Sequence, residues 1–156
     1  MALAGLSTLG ITFGYGVETT AGVKPTSFTQ LNRMNSIGGI SIEPETIDAS
    51  AIEDFVERTV AGRASTGGSF PVSVNFTEET LGEWEELISN YKAAQNSQKR
   101  MWFQTIIPGL TKSFFVVAQP PQAIPQPEIG QNELLVVEFT LSIEEYIGLD
   151  TQVSFT

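Results

Sequence analysis

The sequence predicts a mainly β protein, a β-sandwich or partial barrel with one flanking α-helix over about residues 78–92. Three observations carry this reading. Strict alternation of apolar and polar residues runs through SFPVSVNFT (69–77) and LLVVEFTLSIE (134–144), as expected of strands buried on one face. Two apolar runs, MWFQTII (101–107) and SFFVVA (113–118), are joined by PGLTK, a hairpin pattern with Pro108 and Gly109 in the turn. Helical spacing is sustained in one stretch, where Leu81, Trp84, Leu87, Ile88 and Tyr91 recur every three or four residues.

Taken in chain order, residues 1–35 are rich in Gly, Thr and Ser, with one short apolar patch at Leu9, Ile11 and Phe13, and read as a loosely held N-terminal arm. The β-branched content of 37–43 predicts a strand, which Pro44 stops because it brings no backbone donor. Residues 44–68 form a long solvated loop between strands, rich in acids and closed by Gly67 and Gly68; Ile52, Phe55 and Val56 give 50–60 the spacing of a short helix. In the strand at 69–77, Phe70, Val72, Val74 and Phe76 share one face, and Ser73, Asn75 and Thr77 the other.

Thr77 supplies an N-cap hydroxyl for the helix, Glu78 and Glu79 suit its first turn, and Lys92, Lys99 and Arg100 suit its C-terminal end. The Trp84 and Tyr91 stripe, set beside leucines, reads as core rather than as a groove. The 101–107 and 113–118 strands are apolar at nearly every position, so they are expected to be covered on both faces, by the helix and by an opposite sheet. QPPQAIPQPEIGQ (119–131) is an extended linker. In the last long strand Leu135, Val137, Phe139, Leu141 and Ile143 face the core, while Val136, Glu138, Thr140, Ser142 and Glu144 face water; a short strand follows at 151–155.

Composition narrows the function. The 156 residues include 8 Lys plus Arg, 18 Asp plus Glu, no His and no Cys, for a formal charge of −10. A serine triad with histidine, a thiolate nucleophile, a Cys/His zinc site and an iron–sulfur cluster are thereby excluded. A chain of this length fits a single domain and buries roughly 70% of its unfolded surface. The negative charge repels phosphate backbones and anionic lipid. No apolar run approaches the roughly 20 residues of a membrane helix, and MALAGLSTLGITFGYG has no basic leader, so a soluble protein made in a cytoplasm, without a membrane partner, is expected.

Motifs of chemistry fail on context. Gly14-Tyr15-Gly16 opens no helix, and the loop from Gly62 to Gly67 has Gly68 where a phosphate loop needs lysine. The adjacent pairs Glu78/Glu79, Glu85/Glu86 and Glu144/Glu145 read as solvated faces rather than as a glycosidase dyad. There is no D-x-D-x-D-G calcium loop, and the acids of 43–57 hold a cation at most weakly. No catalytic residue, cofactor or metal is expected, which leaves surfaces and assembly.

The order of elements resembles the tail tube proteins of bacteriophages with long non-contractile tails. The resemblance lies in the Gly-rich arm, ISIEPETIDAS (40–50), VAGRASTGGSF (60–70), PVSVNFTEETLGEWEELI (71–88) and LLVVEFTLSI (134–143), and covers essentially the whole chain. It implies a single tail-tube domain over 1–156 that self-assembles into stacked hexameric rings, strands joining across subunits into an inner barrel that conducts DNA during ejection. It also implies a place in the virion tail, assembly in the bacterial host cytoplasm, and a tape measure protein and tail-end proteins as partners, with transiting DNA not specifically bound. The arm and the 44–68 loop would make contacts between subunits and rings. Interface candidates there are Phe13, Tyr15, Glu45, Asp48, Glu53, Asp54, Phe55, Glu57, Arg58 and Arg63. The polar strand faces give Ser73, Asn75, Glu138, Thr140, Ser142 and Glu144 as candidates to line an acidic bore. Tubes of contractile tails and of type VI secretion share this fold, and a non-enzymatic β-sandwich binding module of a baseplate or fibre, using Trp102 or Trp84, is the alternative from another class.

Overall fold

A computed structural model of the chain describes residues 5–65 and 67–155; residues 1–4 of the expected arm and Thr66 of the expected loop lie outside the described residues. The strands are β1 Thr12–Val17, β2 Thr29–Leu31, β3 Met34–Ile37, β4 Thr46–Asp48, β5 Thr59–Ala61 and β6 Ser69–Asn75, followed by helix α1 Glu78–Asn96 and strands β7 Met101–Ile106, β8 Lys112–Gln119 and β9 Val136–Thr151. Seven strands form one antiparallel sheet in the order β2-β1-β7-β8-β9-β6-β3, and β4 pairs with β5 in a separate ribbon.

The edge strands β2 and β3 are consecutive in the chain and joined only by Asn32 and Arg33, the latter in the left-handed region at φ 58°. Three peptide links reach at most about 11 Å, so the two edges of the sheet must approach each other there. The sheet is therefore curled into a partial barrel. β9 makes the curvature possible. Its first half pairs with β6, from Val136↔Asn75 to Ser142↔Ser69, and its second half pairs with β8, from Ser142↔Gln119 to Thr151↔Lys112. Two register shifts against β8, each with an extra residue in β9, mark β-bulges, which bend a strand and increase its twist.

The concave face holds the main core. Phe13 and Tyr15 of β1, Phe70, Val72 and Val74 of β6, Met101 and Phe103 of β7, and Val137, Phe139 and Leu141 of β9 are all buried in it. Helix α1 closes it with Trp84, Leu87 and Ile88. The Trp84 ring stacks on Phe139 at 3.9 Å between centroids and 5° between planes. The helix starts where Thr77 caps it: Thr77 Oγ1 accepts from the Thr80 N–H at 3.2 Å, and Thr80 Oγ1 accepts from the Thr77 N–H at 2.8 Å, a capping box closed by a second threonine. The Asn32 N–H and Nδ2 donate to the Glu83 carboxylate, tying the helix to the β2–β3 link.

The opposite face of β7 and β8 is also covered, as their composition predicts, but not by a second sheet. Phe28, Trp102, Phe115 and Val117 pack there with Ile147, Val153 and Phe155. Gln104 holds this cover by donating to the Val153 carbonyl at 2.8 Å and accepting its N–H at 3.0 Å.

Several expectations are corrected. The segment 1–35 is not an arm throughout, because β1 lies inside the sheet between β2 and β7. Its glycines serve close approach: a Cβ on Gly14 would strike the Phe155 ring and the Thr29 carbonyl. The strand expected at 37–43 lies at Met34–Ile37, pairing with β6 through a bulge. The helix runs past residue 92 to Asn96, and its last turn carries no cation. The last long strand runs on to Thr151, which leaves Phe155 a single bridge to Phe28 instead of a strand at 151–155.

One buried charge holds the β1 exit. Glu18 is 2% exposed; its carboxylate accepts from the Arg100 N–H at 2.8 Å and Trp102 Nε1 at 2.9 Å, with the Arg100 guanidinium at 3.4 Å. That guanidinium also pairs with Glu145 of β9 at 2.7 Å. Burial pushes the Glu18 carboxyl up, but the Trp102 and backbone donors outweigh it and hold it below its ordinary value.

Two outcomes follow. Trp84→Ala should cost about 3–5 kcal/mol in urea unfolding, since it removes the stacked ring and opens the core. For Glu18 the folded pKa lies below the unfolded one, so its contribution is present above about pH 4.3 and is lost as pH falls through the folded value. The stability gap between the native chain and Glu18→Gln should therefore narrow from pH 7 to pH 3. A gap that is flat with pH contradicts the assignment.

Candidate assembly interface

The β4–β5 ribbon is the feature that the core does not require. It is rooted by paired backbone bonds between Glu43 and Ser65, both 2.8 Å, and continues through Thr46↔Ala61, Ile47↔Val60 and Asp48↔Thr59. At its tip, the Ala49 N–H donates to the Arg58 carbonyl at 2.8 Å and the Arg58 N–H to Ser50 Oγ at 2.7 Å. Asp54 accepts from the Ala51 N–H at 2.8 Å and pairs with the Arg58 guanidinium at 3.3 Å. Asp48 accepts from the Ser50 N–H, and bonds from the Ser50 backbone and hydroxyl lower its pKa. The tip is thus ordered by its own polar groups.

Its apolar groups point outward. Ile52 and Phe55 are 104% and 105% exposed, and Val56 is 76% exposed. The spacing that predicts a helix at 50–60 gives a hairpin instead, because there is no surface here to bury a helix face and a single short helix is marginal in water. Glu45, Asp48, Glu53, Asp54, Phe55, Glu57, Arg58 and Arg63 all lie on this hairpin, and all but half-buried Asp54 are exposed. Phe13 and Tyr15 do not join them. At 1% and 5% exposed, they are core residues of β1 and present no surface to a neighbour.

The six residues expected on a polar strand face are brought together. Ser73 sits opposite Glu138, Thr140 opposite Pro71, Ser142 opposite Ser69 and Asn75 opposite Val136, and directly opposed residues of an antiparallel pair share a face. Asn35 Nδ2 donates to Asn75 Oδ1 at 3.0 Å, and Gln119 Nε2 to Glu144 Oε1 at 2.8 Å, so the polar face runs from β3 to the end of β8. Its centre is acidic and small-chained.

A mainly apolar cavity of about 640 Å³, which sequence reasoning missed, opens between residues of β1, β3 and β8. Ile11, Phe13, Met34, Ile37, Ile40 and Phe114 line it together with the polar Thr8, Asn35, Ser36, Thr105 and Tyr146, and among the described residues no charged side chain does. Its only sequence signal is Gly38-Gly39, which carries the chain past the end of β3. Trp84, considered as a ligand platform, is instead 1% exposed. Glu78, Glu79, Glu85, Glu86, Glu144 and Glu145 are exposed, and among the described residues no group of three His, Cys, Asp or Glu is placed to hold a metal ion.

No protein-family model and no curated protein matches the chain. Solved structures share its fold. It matches a chain of the anti-feeding prophage baseplate, a six-fold symmetrised cryo-EM structure, with a TM-score of 0.53 at 10% identity over 97% of this chain and 97% of that one. It matches a chain from the tail of an empty GTA particle, of C6 symmetry, with a TM-score of 0.53 at 15% identity over 91% of this chain and 95% of that one. At such identities the likeness establishes a shared fold, and it does so from end to end.

Because the Ile52 and Phe55 side chains are fully exposed, Phe55→Ser and Ile52→Ser should each leave unfolding within about 0.5 kcal/mol of the native chain, measured by urea titration. A larger loss would place these side chains in an intramolecular contact.

Proposed function

We propose that this chain is a structural, self-assembling subunit of a phage-type tail tube, stacking as hexameric rings around a conduit that DNA crosses during ejection. The observation that carries the reading is the fold, shared over 97% and 91% of the chain with subunits of two assemblies of six-fold symmetry. Three further features support it. The open edges β2 and β3 are liabilities that pairing with neighbours removes. The hairpin presents apolar side chains that a monomer has no use for. The formal charge of −10 suits a wall that repels nucleic acid instead of binding it.

On this reading the polar face with Ser73, Asn75, Glu138, Thr140, Ser142 and Glu144 lines the bore, and the hairpin makes contacts between copies. The proposed setting is the virion tail, assembled in the bacterial cytoplasm with a tape measure protein inside and other proteins at the tube ends; no catalytic role is assigned. The likeness to a baseplate chain favours a second reading, a tube-like ring of a contractile tail or a related injection system, in which rings form without stacking indefinitely.

Negative-stain electron microscopy of the purified protein separates the outcomes: long tubes support the first reading, isolated rings the second, and a strict monomer at high concentration contradicts both. Since each subunit is acidic, assembly should strengthen as salt screens repulsion over the Debye length of about 10 Å at 0.1 M. Sedimentation at low and moderate salt checks this, and tubes that dissolve on adding salt would count against it. For the bore, a bulky maleimide should label Glu138→Cys in the free subunit and lose access in the tube. Equal labelling in both states would put that face outside.

A further inference from the structure

We propose that the hairpin tip of one copy, through Ile52, Phe55 and Val56, seats in the β3-side cavity of a second copy of this chain. The proposal deepens the self-assembly reading and rests on it for the identity of the partner.

Two features of the molecule complement each other. The tip offers three apolar side chains with exposures of 104%, 105% and 76%, so none has found its place within its own chain. The cavity offers about 640 Å³ with Met34, Ile37, Ile40 and Phe114 in a mainly apolar wall, where Asn35, Ser36 and Thr105 are neutral polar groups and no described residue is charged. That volume lies in the range of roughly 300–1,000 Å³ that encloses compact apolar ligands. A monomer that exposes both an apolar knob and an apolar hole leaves both wet. Joining them between copies dries both.

The knob cannot fill its own hole. Ile40, in the cavity wall, lies three residues before Glu43, the hairpin root, and a two-stranded ribbon advances roughly 3.3 Å per residue away from its root. The tip is therefore carried clear of the cavity beside which it starts. It is also preorganised, because the Ser50, Asp54 and Arg58 bonds fix its shape before contact, and little conformational freedom is lost on seating. The acids around it, Glu53, Asp54 and Glu57, stay outside an uncharged wall.

The contact is heterologous. Each copy that uses its tip still has a free cavity, and each copy that fills its cavity still has a free tip. Such a contact propagates until a ring closes or the stack ends, which a two-fold contact does not.

The chain contains no cysteine, so an engineered pair reports the contact without background. Phe55→Cys is at the exposed tip, and Gly39→Cys is in the cavity wall, where an added Cβ meets no atom within 4 Å. Chains carrying one or the other, distinguished by a size tag, are mixed at assembling concentration and oxidised. The expected product is a disulfide-linked heterodimer of the tagged and untagged chains, absent when Glu138→Cys replaces Gly39→Cys. No heterodimer, a heterodimer equally abundant with Glu138→Cys, or only homodimers of the Phe55→Cys chain would overturn the proposal.

A second arm needs no cross-link. Phe55→Asp should raise the concentration needed for assembly by about tenfold or more, while Phe55→Leu restores it and both keep the native circular dichroism. Assembly unchanged by Phe55→Asp would equally overturn the docking. The two readings fail separately: a specific cross-link without rings in the microscope rejects the tube and keeps the docking, whereas rings without the cross-link reject the docking and keep the tube.

Discussion

The two-residue link between β2 and β3 is the constraint on which the rest of the molecule depends. A seven-stranded antiparallel sheet whose outermost strands are covalent neighbours cannot lie open. It must curl, and the curl needs a strand long enough to belong to both halves. β9 is that strand, and its bulges allow 16 residues to bend around one core. The concave side is then too wide for strand side chains alone, and α1 fills it through the Trp84–Phe139 stack.

The same closure is incomplete, and its incompleteness produces the surfaces of interest. Between β1 and β3 the wall opens into the cavity, and shortly beyond β3 the chain rises into the hairpin. One stretch of chain, residues 34–65, thus supplies one wall of the gap and the whole projection. Meanwhile the outward face of β6 and β9 stays short-chained and acidic. A knob, a hole, two open edges and a short-chained polar face are the features on which the proposed assembly from copies of this chain rests.

What could be read in the sequence follows from what was local. The β6 strand, the capped helix and the β7–β8 hairpin each announce themselves by periodicity within 20 residues, and each is present. The polar and apolar faces of β9 are legible from Val136 to Ile143, after which the bulges break the alternation and hide the strand's second half; Leu135, expected in the core, precedes the strand and is exposed. β1 was hidden by Gly14 and Gly16, whose value lies in the neighbouring Phe155 ring and the Thr29 and Ser27 carbonyls, contacts distant in sequence. Within the expected 44–68 loop, Ile52, Phe55 and Val56 have the spacing of a helix face but no surface to bury it on, and 50–60 forms the tip of a hairpin instead. Glu18 looked like any acid; its partners at Arg100 and Trp102 exist only once β1 lies beside β7.

On the proposed reading, the scarcity of bases and the lack of histidine and cysteine suit a subunit that works by shape and charge repulsion. The most direct measurement is a cryo-EM map of the assembled particle at side-chain resolution. The expected map has Phe55 and Ile52 of each subunit inside the cavity between Ile37 and Phe114 of a neighbour, with Ser73, Glu138 and Thr140 toward the axis. A map with the hairpin tips in solvent and that polar face on the outer wall would contradict the account.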